Sequence, residues 1–93
     1  MANKGSAVVD FGAFGGSNEA SVAISDAAIL AGSLCDAWIV AKSTSDHTVN
    51  DHTYAALFIA LTCGVPTAST GFTIYARSTE KMQGTFNIEW AWS

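Results

Sequence analysis

Gln83–Trp92, QGTFNIEWAW, decides the fold class. Phe86, Ile88, Trp90 and Trp92 fall on one side of an extended chain, and Thr85, Asn87, Glu89 and Ala91 fall on the other. A period of two marks a strand with one buried face. Asn18–Ser25 repeats it, with Ala20, Val22 and Ile24 opposing Glu19, Ser21, Ala23 and Ser25. Gly71–Ser78 repeats it again, Phe72, Ile74 and Ala76 alternating with Thr73, Tyr75 and Arg77. Ser6–Phe14 sets Val9 and Phe11 against Val8 and Asp10, and Gly15-Gly16-Ser17 ends it as a turn. The glycines of GAFGG have no following GK[ST] or helix, so they are turn residues and not a phosphate loop.

The rest of the chain reads in the same way. Leu34–Lys42 is a strand with two largely apolar faces, hence central or at an interface. Ser43–Thr53 is a polar loop, and His52–Cys63 reads as a long strand because β-branched and aromatic residues outweigh its helical possibilities. Asp26–Ser33 (DAAILAGS) is a strand-to-strand excursion or a short 3₁₀ turn, with a helix as the alternative. Gly64–Thr67 is a turn, and Thr79-Glu80-Lys81 a polar connection. The sequence therefore predicts one all-β domain over residues 1–93, an antiparallel β-sandwich or small jelly-roll-like barrel of about six to eight strands, with residues 1–6 available as an extended N-terminal arm.

Composition says what such a domain must hide. Hydrophobic residues make up 49% of the 93 and charged residues 13%, about half the usual charged share of ~25%. Mean hydropathy is +0.28. Ser and Thr supply some polarity, but part of the surface is expected to be covered by other copies or by a partner. The net charge of −4 and the four scattered basic residues, Lys4, Lys42, Arg77 and Lys81, argue against nucleic acid as a partner. The longest nearly apolar run, Tyr54 to Cys63, is about half a membrane-spanning helix. No signal peptide is expected, so the chain is read as made in a reducing cytoplasm. Cys35 and Cys63, with no CxxC or Cys/His spacing, read as buried thiols before a disulfide or a nucleophile.

Chemistry has one candidate, Ser45–His52, SDHTVNDH, which holds both histidines. Asp46, His47, Asn50, Asp51 and His52 form a possible polar binding site, and Asp and His are metal-ligand types. The spacing matches neither HExxH nor a zinc finger, so a polar turn leads an intersubunit hydrogen-bond cluster and a metal site. No GxSxG elbow or acid–base pair stands out, so no enzyme, catalytic residue, cofactor or metal is expected. Trp38, Trp90 and Trp92, with Tyr75, could make a sugar-stacking platform; packing is the better reading. Trp38, Phe86, Trp90 and Trp92 are the residues expected to pack against a partner.

Val9–Ile24 (VDFGAFGGSNEASVAI), Cys35–Leu57 (CDAWIVAKSTSDHTVNDHTYAAL) and Gly71–Trp92 (GFTIYARSTEKMQGTFNIEWAW) resemble small, acidic virion-associated proteins of tailed bacteriophages. The resemblance covers most of the chain, through strand and turn patterns and no catalytic signature. It implies a non-enzymatic structural protein: a capsid decoration (cement) protein or a small tail or fibre component, assembled in the bacterial host cytoplasm and resident in the virion. Its partners would be itself, as a homotrimer, and other virion proteins such as the major capsid or tail proteins, with Ala2–Val9 free to reach a neighbour. The competing readings are the carbohydrate-binding, receptor-recognising tip of a fibre and a small metal-dependent enzyme.

Overall fold

A computed structural model describes residues 3–13 and 15–93. It contains β1 (Asn3–Asp10), β2 (Ser17–Ser25), β3 (Cys35–Ile39), α1 (Val49–Ala55), β4 (Ile59–Cys63), β5 (Gly71–Met82) and β6 (Thr85–Trp92). The strands form two three-stranded antiparallel sheets, ordered β1-β6-β3 and β2-β5-β4. The all-β sandwich of about six strands is therefore the architecture. Among the described residues no helix is long and apolar enough to cross a membrane.

The central strands carry the clearest alternation because both of their edges are paired. In β6, Phe86, Ile88 and Trp92 are buried; in β5, Phe72, Ile74 and Ala76 are. Val9 on β1 and Ile24 on β2 complete the layer between the sheets. Each fully buried side chain of this size contributes about 1.5–3 kcal/mol. Ile29 also lies in the core, so DAAILAGS is an excursion that drops one side chain inward, not a helix. Asp26 anchors its start: its Oδ2 accepts from Trp92 Nε1 (2.7 Å) and its Oδ1 from the Ala28 N–H (3.0 Å).

Four expectations need correction. Asn3–Asp10 pairs with β6 along its whole length, so residues 3–6 are strand and not a free arm; residues 1–2, like Phe14, lie outside the described residues. β3 is a short edge strand, not a central one, and ends at Ile39. Thr79-Glu80-Lys81 belongs to β5: residues 78–81 bulge out opposite Asn18, and Met82 pairs again with Ser17. His52–Cys63 is not one strand: residues 49–55 are helical and only Ile59–Cys63 is extended. The cause is local. Thr48 Oγ1 accepts from the Asp51 N–H (3.1 Å) and Asp51 Oδ2 from the Thr48 N–H (3.0 Å), a reciprocal cap that starts the helix. The helix turns His52 and Ala55 inward and leaves Tyr54 exposed.

Candidate functional site

The segment SDHTVNDH lies where β3 stops and β6 goes on. In an antiparallel ladder each residue points its N–H and C=O to the same side, alternating along the strand. Leu34 and Ser93 exchange both hydrogen bonds, and the Val40 N–H donates to Asn87 O (3.1 Å). The β3-facing groups of β6 are therefore those of the odd-numbered residues. Past Ile39 the chain turns away, the Val40 carbonyl accepting from the Lys42 N–H (2.8 Å). The Asn87 N–H and the groups of Thr85 and Gln83 have no strand partner beyond that point, and side chains replace it.

The Asn87 N–H donates to His52 Nε2 (2.9 Å). The Thr85 N–H and Oγ1 donate to Asp46 Oδ2 (2.9 and 2.7 Å). Thr85 O accepts from Thr44 Oγ1 (2.9 Å), and Gln83 O lies 2.6 Å from His47 Nε2. The Asn87 side chain answers in the other direction, its Nδ2 donating to the carbonyls of Lys42 (2.8 Å) and Ser43 (3.0 Å). Thr44, Asp46, His47 and His52 thus stand in for one missing strand of backbone. Unpaired buried backbone groups are costly, and these side chains remove that cost.

The expected site residues now separate. His52 is fully buried; its Nδ1 donates to Thr48 O (2.8 Å) while its Nε2 accepts, so both nitrogens are used within the fold. It is a core residue and cannot face a ligand, contrary to the polar-site expectation. Asn50 is exposed on α1, its carbonyl accepting from Thr53 Oγ1 (2.7 Å). Asp46, His47 and Asp51 do converge. His47 Nδ1 lies 3.4 Å from Asp51 Oδ2, and its ring stacks on Phe86 at 4.1 Å between centroids. Gly84 (φ +76°) permits this closeness: a Cβ there would come within 2.8 Å of the Asp46 Cβ. The Thr85 hydroxyl and then the Thr85 N–H hold the Asp46 carboxyl below its ordinary 3.8. The Thr48 N–H is the main cause that does the same for Asp51, with His47 adding to it.

These three residues border a groove of about 470 Å³ whose remaining lining is Tyr54, Ala55, Phe58, Met82 and Phe86. None of its lining residues is Lys or Arg. Tyr54, Phe58 and Met82 were not expected at a site. The signal that places two of them there is the Thr48–Asp51 spacing, which starts a helix and rotates Tyr54 outward. Among the described residues no three His, Cys, Asp or Glu side chains are placed to hold a metal ion together.

The four packing aromatics also divide. Phe86 and Trp92 are buried in the chain's own core and Trp90 packs against it, meeting Phe72 edge-on at 5.7 Å. Phe86 and Trp92 are therefore core residues and not surfaces for a partner, and Trp90 is half-buried. Trp38 faces outward on β3, across from Glu89, and lines a separate hollow of about 280 Å³ with Lys4, Gly5, Ser6, Glu89 and Trp90. The three Trp therefore form no common platform. Cys35 and Cys63 are free, half-buried thiols. Burial pushes Cys63 up to about 11, with Cys35 and Asp36 nearby adding to the shift. No protein-family model matches this sequence, and no curated protein or solved structure is similar enough to count as a match.

Proposed function

We propose that the chain is a non-enzymatic structural protein of a bacteriophage particle, a capsid decoration protein or small tail or fibre component, that works by packing against copies of itself and other virion proteins. One observation carries the packing part. Leu30, Leu34 and Val65 are 66%, 77% and 86% exposed, and all three sit at one end of the sandwich. Their two loops meet there, the Ser69 N–H donating to Ile29 O (2.9 Å). Residues 27–34 and 64–70 contain no charged side chain. An uncharged end built from large apolar side chains favours burial over exposure to water. The phage setting comes from the sequence resemblance, closed symmetry multiplies weak contacts, and the choice of three copies is by analogy with capsid decoration proteins and fibres.

The test has two arms. Sedimentation equilibrium of the purified protein should give a multiple of 9.7 kDa, three being the expected number. Leu34→Asp with Val65→Asp should return it to the single-chain mass without unfolding it. A folded wild-type chain that stays at 9.7 kDa at high concentration removes the self-packing, and its absence from purified virions by mass spectrometry removes the particle.

A second reading, a carbohydrate-binding fibre tip, is favoured by the Trp38 hollow. An outward indole beside Lys4, Ser6 and Glu89 offers a flat apolar wall and hydrogen-bonding groups, and among the described residues neither Lys4 nor Glu89 has an ion-pair partner. Quenching or a shift of tryptophan emission by a glycan, lost in Trp38→Ala, would support it; an unchanged spectrum across a glycan panel would discard it.

A further inference from the structure

We infer that the groove between α1 and the β5–β6 turn is a docking site for an arginine-bearing segment of a different protein. The inference rests on the packing reading for its premise that this surface exists to be covered, and it adds the chemistry of the occupant.

The groove joins two kinds of surface. Tyr54, Phe58 and Met82 make one part apolar, with Tyr54 61% exposed. Asp46 and Asp51 make the other part anionic. Each spends one oxygen on the fold: Asp46 Oδ2 on Thr85, and Asp51 Oδ2 on the Thr48 N–H, with His47 alongside. The same hydrogen bonds favour the ionised form of both carboxyls. The groove lining supplies no lysine or arginine to neutralise them.

A cation with an apolar stem is the complement. Arginine fits better than lysine for three physical reasons. Its planar guanidinium lies flat on aromatic rings, which the groove provides. Its fork of donors matches carboxylate oxygens. Its methylenes cover apolar surface such as that of Met82 and Phe58.

The arginine does not come from a second copy. The chain has one, Arg77, exposed on β5 with its head turned onto its own neighbours. Its guanidinium lies 5.6 Å from the Tyr75 ring centroid and its Nη1 donates to Ala76 O (3.0 Å). The occupant is therefore a basic segment of another protein meeting a chain of net charge −4.

The probe is a capped synthetic peptide of alternating arginine and leucine, followed by amide and methyl NMR shifts, with its lysine and glutamate counterparts as controls. The arginine peptide should shift Tyr54, Phe58 and Met82 saturably, bind more weakly as salt rises, and outcompete the lysine peptide. Asp46→Asn and Asp51→Asn, which keep an acceptor oxygen for their caps, should each weaken binding about three- to fivefold. Tyr54→Ala, which touches no cap, should weaken it further while leaving the melting temperature unchanged. Equal binding of the glutamate peptide overturns the inference. So does unchanged affinity in the double Asp→Asn variant, or shifts confined to another face. Groove shifts produced by soluble oligosaccharides and not by the peptide also overturn it. Mass measured on the same samples separates the two proposals. A single-chain species that binds the peptide removes self-packing alone, and an oligomer that ignores the peptide removes this site alone.

Discussion

Replacing His52 tests whether a side chain really stands in for the missing strand. The ring makes two hydrogen bonds of unequal consequence. Thr48 O also accepts from the His52 backbone N–H (3.2 Å), so it stays paired whatever the side chain. The Asn87 N–H relies on Nε2, because the Val40 carbonyl that would take it in a continuing ladder is held by Lys42. His52→Leu keeps most of the volume beside Phe86 and leaves that donor unpaired inside the protein. The cost is about 2 kcal/mol, within the ~1–3 kcal/mol of an orphaned buried donor. For a domain of this size that lowers the melting temperature by about 8–16 °C. His52→Gln returns an acceptor at about the reach of Nε2 and should recover roughly half of the loss. His52→Ala adds a cavity and should cost about 3–5 kcal/mol in all. Thermal and urea unfolding give the order wild type, Gln, Leu, Ala, and hydrogen exchange gives the mechanism. The Asn87 amide should be protected in wild type and Gln, and exchange much faster in Leu. A Leu variant as stable as Gln, with the Asn87 amide still protected, would refute the reasoning.

Three other outcomes follow from the same geometry. Asp46 and Asp51 have folded-state values below the ordinary 3.8, so the unfolded chain takes up their protons first; their stabilisation is complete above 3.8 and is lost as pH falls through the lower folded values. The urea midpoint should accordingly drop as pH falls below 3.8, less steeply in Asp46→Asn, and an identical acid limb in that variant would contradict the assignment. Gly71 (φ +140°) places its backbone where a Cβ would run into the Ile24 carbonyl oxygen, so Gly71→Ala should separate β2 from β5 and lower the melting temperature by more than about 10 °C; a neutral result would mean the pair is not that close. With Cys63 raised to about 11 from the ordinary 9.0, and Cys35 raised by burial as well, neither thiol should react readily with Ellman's reagent at neutral pH, while both should react at once in urea.

Alternation alone made β2 and β6 legible, because their side chains are sorted by one dry face and one wet face. Such a signal cannot tell which face of β3 is dry. Its small residues Cys35 and Ala37 turn inward with Ile39, and Trp38 turns out, because the space beside Trp90 and Trp92 is already filled. The stretch from Thr48 to Phe58 misleads for a different reason. Its tyrosine, phenylalanine and threonines favour a strand on average, but the Thr48–Asp51 cap fixes a helix before that average applies. Once the helix forms, a residue two beyond His52 points away from it and not alongside it. That is why Tyr54 reaches the groove and His52 does not.

The polar loop and the apolar surfaces are linked through this geometry. Ending β3 at Ile39 frees the chain to cross to the other sheet, and it also leaves the Asn87 N–H and the groups of Thr85 and Gln83 without a strand partner. Ser43–Thr53 is rich in Asp, His, Asn and Thr because those side chains can supply donors and acceptors at positions where the chain no longer runs alongside. The histidines are accounted for by that need. Two features of the segment are not: the second oxygen of each of Asp46 and Asp51, and the aromatic surface of Tyr54 and Phe58 beside them. Strand replacement requires neither an ionised carboxylate facing outward nor an exposed ring. A serine or an asparagine would accept from Thr85 as well, and a lysine at position 54 would suit an exposed helix turn better than tyrosine. The surplus of charge and apolar area that remains is the part of the segment that the fold does not use, and it is on that surplus that a partner would act.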